Sequence, residues 1–186
     1  MWGKERIKLT PTSYLILGLV GRVGPCTAYE MKAEVSAGIG HFWTFPHSQL
    51  YAEPARLAAA GLLAEEQEET GRRRRLYTLT SEGERRLQRW LADPPVELTE
   101  IRDMALLKLY FSGLTEPAQV QINAAAAAAV HRGQLDAYER VAKDVARRDP
   151  FGRATLELGL RYERAAVAFW EELSENPPGT RRRRKR

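Results

Sequence analysis

At 186 residues, with 44% apolar and 28% charged side chains, the chain suits one domain with a substantial extension or two small domains, and is too apolar for a disordered protein. The apolar run "YLILGLVG" falls far short of the roughly 20 residues a membrane-spanning helix needs, no charged-then-apolar segment opens the chain, and the lone Cys26 forms no disulfide framework. A membrane span, a secreted chain and a disulfide scaffold are therefore not expected, and a reducing cytoplasm is.

The first predicted helix lies in "TPTSYLILGLVG", with Thr10 as its cap, Pro11 at the first helical position and Gly21 as its stop. It is apolar nearly all round and is expected to be buried. After the turn "GP", the segment "TAYEMKAEV" places Thr27 and Glu30 at capping-box spacing, with Ala28, Met31 and Val35 on one stripe. "GIGHFWTF" reads as a loop. "PHSQLYAEPARLAAAG" reads as a third helix with Leu50, Pro54 and Leu57 on its inner side and Gly61 as its stop.

The acidic "LLAEEQEE" and the basic "RRRRLYTLT" then read as two strands joined at Thr70-Gly71, where glycine supplies the positive φ of a tight hairpin. "TSEGERRLQRWL" follows as a helix capped by Thr80, with Leu87, Trp90 and Leu91 on one face. Three helices, a hairpin and a helix are the order of a winged helix-turn-helix. The wing then carries Arg72, Arg73, Arg74 and Arg75, whose guanidinium groups suit phosphate oxygens, and the acids of the facing strand restrain their mutual repulsion. A hairpin merely laced with salt bridges is the plainer alternative.

Charge supports a polyanionic partner. Residues 1–92 carry 13 Lys/Arg against 10 Asp/Glu, net +3; residues 93–178 carry 10 against 14, net −4; the tail "GTRRRRKR" adds six cations, giving +5. A basic first part and a basic tail thus bracket an acidic middle, although for the tail a solvated charge run is the competing reading.

The second half reads as helices: a short one in "EIRDMALLKLYFSG" with Ile101, Ala105 and Leu109 apolar, a long alanine-rich one opened at Thr115 and broken at Pro150, and a last one carrying Leu156, Leu160, Val167, Trp170 and Leu173. Antiparallel helices with so much apolar surface need a partner, so this half is expected to form a homodimer; a monomer with a helical appendage is the alternative. The expected architecture is mainly α with a small β-hairpin wing: a winged helix-turn-helix over 1–92, a helical dimerisation domain over 97–175, and a basic, disordered tail over 176–186.

The motifs "LTPTSYLILGLV", "AYEMK", "HFWTFPHSQLYAEPARLAAAGLL", "RRLYTLTSEG" and "LADPP", followed by "IRDMALLKLYFSG" and "LELGLRYERAAVAFWEEL", resemble the PadR family of winged-helix transcriptional regulators across nearly all of residues 9–175. The family pattern Tyr-Pro-x-Leu-x-x-Leu stands here as Tyr51-Ala52-Glu53-Pro54-Ala55-Arg56-Leu57, with Pro54 where leucine is expected. A proline inside a helix removes one hydrogen bond at a cost of roughly 3 kcal/mol, so the helix is expected either to kink near Leu50 or to split at Pro54. The resemblance implies that the third helix enters the major groove. It points to His47, Ser48, Gln49 and Tyr51 as the residues meeting DNA, with Arg56 nearer the backbone. For Tyr51 a core position is the alternative, and His47 has the alternative of an ordinary first-turn polar residue.

The resemblance further implies a sequence-specific regulator, in the first instance a repressor, that binds an inverted-repeat operator in double-stranded DNA as a homodimer. A winged-helix module for protein–protein assembly is the alternative. An enzyme is not expected: His41, His47 and His131 lack metal-ligand spacing, no Gly-rich phosphate loop follows a strand, and Cys26 has no histidine partner in a known motif, so neither metal nor cofactor is called for. Family members often sense small aromatic molecules, for which Trp90, Tyr110, Phe111 and Trp170 are the candidate lining of a cavity, with ordinary core packing as the alternative.

Overall fold

Thr10 starts the fold with a reciprocal cap. Its hydroxyl accepts from the Ser13 amide at 3.3 Å while Ser13 Oγ accepts from the Thr10 amide at 2.8 Å, satisfying two donors that a helix start leaves without partners. With Pro11 at the first position, helix α1 runs Pro11–Val23. Gly21 does not stop it, contrary to expectation. A Cβ there would lie 3.3 Å from Leu79 Cδ2, so this glycine admits a neighbour, and it is Gly24, at φ +86°, that ends the helix. The computed structural model describes residues 7–41, 43, 46, 48–68, 73–95, 100–145 and 149–178. The chain divides into two units, Met1–Glu97 and Leu98–Arg186.

In the N-terminal unit a strand that the sequence did not announce, β1 (Cys26–Thr27), leads into α2 (Ala28–Ala37), capped by the expected Thr27–Glu30 box. Cys26 is a core residue. Burial, and then the charges of Glu30 and Glu34, push its thiol to about 11, which removes thiolate chemistry at neutral pH. Helix α3 spans Gln49–Ala59 and passes through Pro54 without splitting. Only the bond to the Leu50 carbonyl is lost, and Leu50, Pro54 and Leu57 are all fully buried, so apolar packing holds the helix across the gap.

Strands β2 (Leu63–Gln67) and β3 (Arg75–Leu79) pair antiparallel with Leu63 opposite Leu79 and Gln67 opposite Arg75. β1 pairs with the other edge of β3, giving the sheet order β1-β3-β2. Beyond Gln67 the Glu68 amide still donates to the Arg74 carbonyl at 3.0 Å, so the pairing extends toward the turn that the sequence places at Thr70-Gly71. Those two residues lie outside the described ones. Helix α4 (Ser81–Ala92) starts on Thr80, whose Oγ1 accepts from the Gly83 amide at 3.1 Å. Its inner face reaches only as far as Leu87 and Trp90; Leu91, expected beside them, is 68% exposed in this unit.

The C-terminal unit holds α5 (Met104–Tyr110), α6 (Pro117–Val145) and α7 (Pro150–Glu175). Pro150 opens α7 at its first turn, where the missing N–H costs nothing. The two long helices are antiparallel: Ala124 and Ala128 meet Trp170, His131 meets Glu163, and Tyr138 meets Gly159. Alanines let the backbones approach while Trp170 fills the space between them.

The glycine of "YTLTSEG" now has a physical reason. A Cβ on Gly83 would stand 2.1 Å from the Leu62 carbonyl oxygen and 2.9 Å from Leu79 Cδ1, so α4 cannot approach the foot of the hairpin with any larger residue. Gly83→Ala is expected to cost about 2–3 kcal/mol, read as a lower denaturation midpoint; an unchanged midpoint would mean that α4 can retreat freely.

Candidate nucleic-acid interface

On α3 the buried face is set by Leu50, Glu53, Pro54 and Leu57, which turns Ser48, Gln49, Tyr51 and Ala52 outward. Ser48 precedes the first helical residue but makes no side-chain capping bond; its backbone is helical, and the Gln49 amide donates to the Pro46 carbonyl at 3.0 Å instead. The hydroxyl is thus not used by the helix. Tyr51 is 56% exposed, which sets aside the core position considered for it. His47 lies outside the described residues.

Arg56, expected nearer the DNA backbone, is bonded within its own helix face. Its guanidinium is drawn inward, with Nε 2.8 Å from Glu53 Oε2 and Nη2 2.6 Å from Glu53 Oε1. The sequence did contain the signal for this: positions 50, 53, 54 and 57 share one helical face, so Glu53 falls among apolar neighbours and must find a cation. Glu53 and its partner Ser13 were nonetheless missed as residues bearing on the interface.

The hairpin carries the expected cations, held by the facing strand. Arg74 makes a forked contact with Glu68, Nε to Oε2 at 3.1 Å and Nη2 to Oε1 at 2.9 Å, and Arg75 Nη1 stands 3.4 Å from Glu65 Oε1. The Arg74 hydrogen bond holds the Glu68 carboxyl below its ordinary range, and the same contact raises Arg74. Glu30 on α2 adds a second negative charge toward Arg74. All of these groups face solvent, so each pair contributes little on its own and is easily exchanged for another anion. Arg73 sits at φ +47° and its carbonyl accepts from Gln67 Nε2 at 3.3 Å; Arg72 lies outside the described residues.

The candidate effector aromatics occupy different settings. Trp90 stacks on Tyr14 in the N-terminal unit, ring centroids 4.7 Å apart. In the C-terminal unit Trp170 is buried, while Tyr110 and Phe111 meet edge to face and are exposed. A cavity of about 260 Å³ in that unit is lined by Met104, Leu109, Val120, Val130, Trp170 and Leu173, with Lys108 and Asn123 as its polar rim. Tyr110 and Phe111 do not line it. Among the described residues no cluster of His, Cys, Asp or Glu has metal-binding geometry, and no helix is long and apolar enough to cross a membrane.

Comparison with known proteins gives a concordant result. Residues 16–89 match the sequence profile of the transcriptional regulator PadR-like family, and residues 101–176 match that of the virulence activator alpha C-terminal region. The chain is 34% identical over 101 residues to the negative transcriptional regulator PadR of Bacillus subtilis (strain 168), covering 53% of this chain and 54% of that protein. The matched stretch thus spans about half the length of that curated relative. The crystal structure of Bacillus subtilis PadR in complex with operator DNA superposes with a TM-score of 0.78 at 24% identity, over 88% of this chain and 96% of that one. The same protein in complex with p-coumaric acid gives 0.77 at 22% identity, over 90% and 97%. At these identities the superpositions speak to the fold, a winged helix-turn-helix followed by a helical unit. With a PadR relative in sequence beside these profiles, residues 16–89 are a PadR-like transcriptional-regulator domain, followed by a unit matching the virulence activator alpha C-terminal region.

Proposed function

We propose that the chain is a sequence-specific DNA-binding repressor that occupies an inverted-repeat operator as a homodimer. One observation carries this reading: a single unit presents the outward polar face of α3, with Ser48, Gln49 and Tyr51, together with a hairpin bearing exposed arginines. Ser and Gln both donate and accept as base edges require, and the wing cations suit phosphates, where the weak acidic partners Glu65 and Glu68 are exchanged for stronger ones. The Bacillus subtilis PadR solved with operator DNA, and the description of that protein as a negative regulator, support the partner and the sign of regulation.

Dimerisation is assigned to the C-terminal unit because its helices leave large apolar side chains in the open. Leu114 is 89% and Phe151 83% exposed, and Met104, Leu107, Ile122, Val130 and Leu158 accompany them. Exposed large apolar side chains in this number favour an interface. A small-molecule effector belongs to the same reading, supported by the relative solved with p-coumaric acid; of the four aromatics considered, Trp170 lines the cavity of about 260 Å³ in its own unit.

Three measurements test the proposal. The full chain is expected to sediment at twice its 21.1 kDa, and a chain ending at Pro95 as a monomer; tight association of the shortened chain would move the interface into the first unit. Replacing Arg72, Arg73 and Arg74 by alanine is expected to weaken binding to any duplex alike. It should also flatten the slope of log affinity against log salt by roughly 0.9 per lost contact. Residues 179–186 must be removed in parallel, since their cations add to the same slope, and an unchanged slope without them would separate the wing from DNA. Gln49→Ala and Ser48→Ala are instead expected to cost on the order of 1–3 kcal/mol on an operator selected from genomic fragments, and little on random DNA.

A further inference from the structure

Glu53 is a carboxylate on the buried face of α3, its side chain only 7% exposed. Three donors hold it there: Ser13 Oγ at 2.6 Å, Arg56 Nη2 at 2.6 Å and Arg56 Nε at 2.8 Å. Arg56 Nη2 also donates to Ser13 Oγ at 3.0 Å, and both of its terminal nitrogens lie 3.4 Å from the Lys8 carbonyl just before α1. Ser13 in turn accepts from the Thr10 amide within the cap of α1. A closed set of bonds therefore ties the recognition helix to the start of α1. Burial works to raise the Glu53 carboxyl, but the hydrogen bonds from Arg56 and Ser13 and the Arg56 charge outweigh it and hold it below the ordinary range. The negative charge also faces the N-terminal end of α1, where the helix dipole favours it.

Helix α3 has more need of such a clamp than an ordinary helix. Ser48 supplies no side-chain cap, and Pro54 removes the bond to the Leu50 carbonyl, so its N-terminal half is underdetermined by its own backbone. Leu50 and Leu57 bind it to the core, but apolar contact is non-directional and tolerates rotation. A forked, charge-assisted contact does not.

We infer that Glu53 and Arg56 are specificity-determining positioning residues: their pair, locked onto Ser13 and the Lys8 carbonyl, fixes how α3 lies against α1 and so where Ser48, Gln49 and Tyr51 meet base edges, while Arg56 makes no phosphate contact of its own. This rests on the reading of the chain as a DNA-binding regulator. Electrostatics separates it from the alternative in which Arg56 is a phosphate ligand. Losing an acid near DNA ordinarily strengthens binding, and Lys replaces Arg at a simple phosphate contact without loss of charge.

The test measures affinity for an operator selected by the wild-type chain, affinity for a random duplex, and the salt slope on both, using full-length Glu53→Gln, Arg56→Gln and Arg56→Lys. Each variant is expected to lose about tenfold or more on the operator, the size of a displaced base contact. Random-duplex affinity and salt slope should stay at wild-type values, which also reports an intact fold. The double change Glu53→Gln with Arg56→Gln is expected to lose little more than either alone. Equal losses on both duplexes with a slope lowered by roughly 0.9 in Arg56→Gln would make Arg56 a phosphate ligand and overturn the inference. Full operator affinity in Arg56→Lys would overturn it independently, even where Glu53→Gln proves too unstable to measure. Failure of the wild-type chain to select any operator would bring down the underlying reading, and the inference with it.

Discussion

The N-terminal unit is organised around one carbonyl, that of Leu62. It accepts the Thr80 amide at 3.2 Å and the Thr80 hydroxyl at 3.0 Å, while the Leu62 amide donates back to the Leu57 carbonyl at 2.9 Å. The end of α3, the foot of the hairpin and the start of α4 therefore share a single anchoring point. Thr80 serves both sides, since its Oγ1 also caps α4 by accepting from Gly83. The close approach leaves no room for a side chain at position 83, which is why that glycine is a packing requirement and not a hinge. The hairpin and α3 are thereby bonded through one junction.

Two kinds of ion pair hang on that frame, and their magnitudes assign them different work. On the wing, Arg74 and Glu68 are both solvated, so their attraction is screened and contributes little to stability. Such a pair restrains side chains without committing them. At Glu53 the carboxylate is out of water, and removing its cation would strand a buried charge. For fully buried pairs that costs about 3–5 kcal/mol; here it is less, because Arg56 remains 40% exposed. The same residue type thus acts as an exchangeable anion holder in one place and as a structural lock in the other, and burial of the acid decides which.

Much of this was legible in the sequence, and the exceptions have physical causes. The caps at Thr10, Thr27 and Thr80 were readable because a capping residue and its partner sit three positions apart, a purely local signal. The hairpin was readable from its opposed charges, and the burial of Leu50 and Leu57 from helical spacing. β1 was not, because two residues carry no periodicity and its pairing partners Leu76 and Tyr77 lie some fifty positions away. Gly21 misled because glycine marks both helix ends and close approaches, and only the tertiary neighbour Leu79 distinguishes them. The bond from Arg56 to Glu53 was not anticipated either, because a cation on α3 draws attention to a polyanion until helical spacing brings Glu53 beside it.

The C-terminal unit shows why its helices are expected to work in pairs of chains. Its own core is built largely from Ala124, Ala127 and Ala128 against Trp170, with polar locks such as His131 to Glu163 at 2.7 Å. An alanine buries only a methyl group, so a core of this kind gains little from the hydrophobic effect, at about 25 cal/mol per Å² of apolar area. The larger apolar side chains, Leu114, Ile122, Val130 and Phe151 among them, point outward instead. Much of the apolar surface of these helices therefore stays exposed in the single chain, and the proposed dimer would draw its stabilisation from covering it. In the proposed dimer, folding and association would be linked, and the stability of the unit would depend on protomer concentration. An operator with two half-sites, as proposed, would exploit the same linkage, because DNA that bound only the paired form would stabilise the helical unit without touching it.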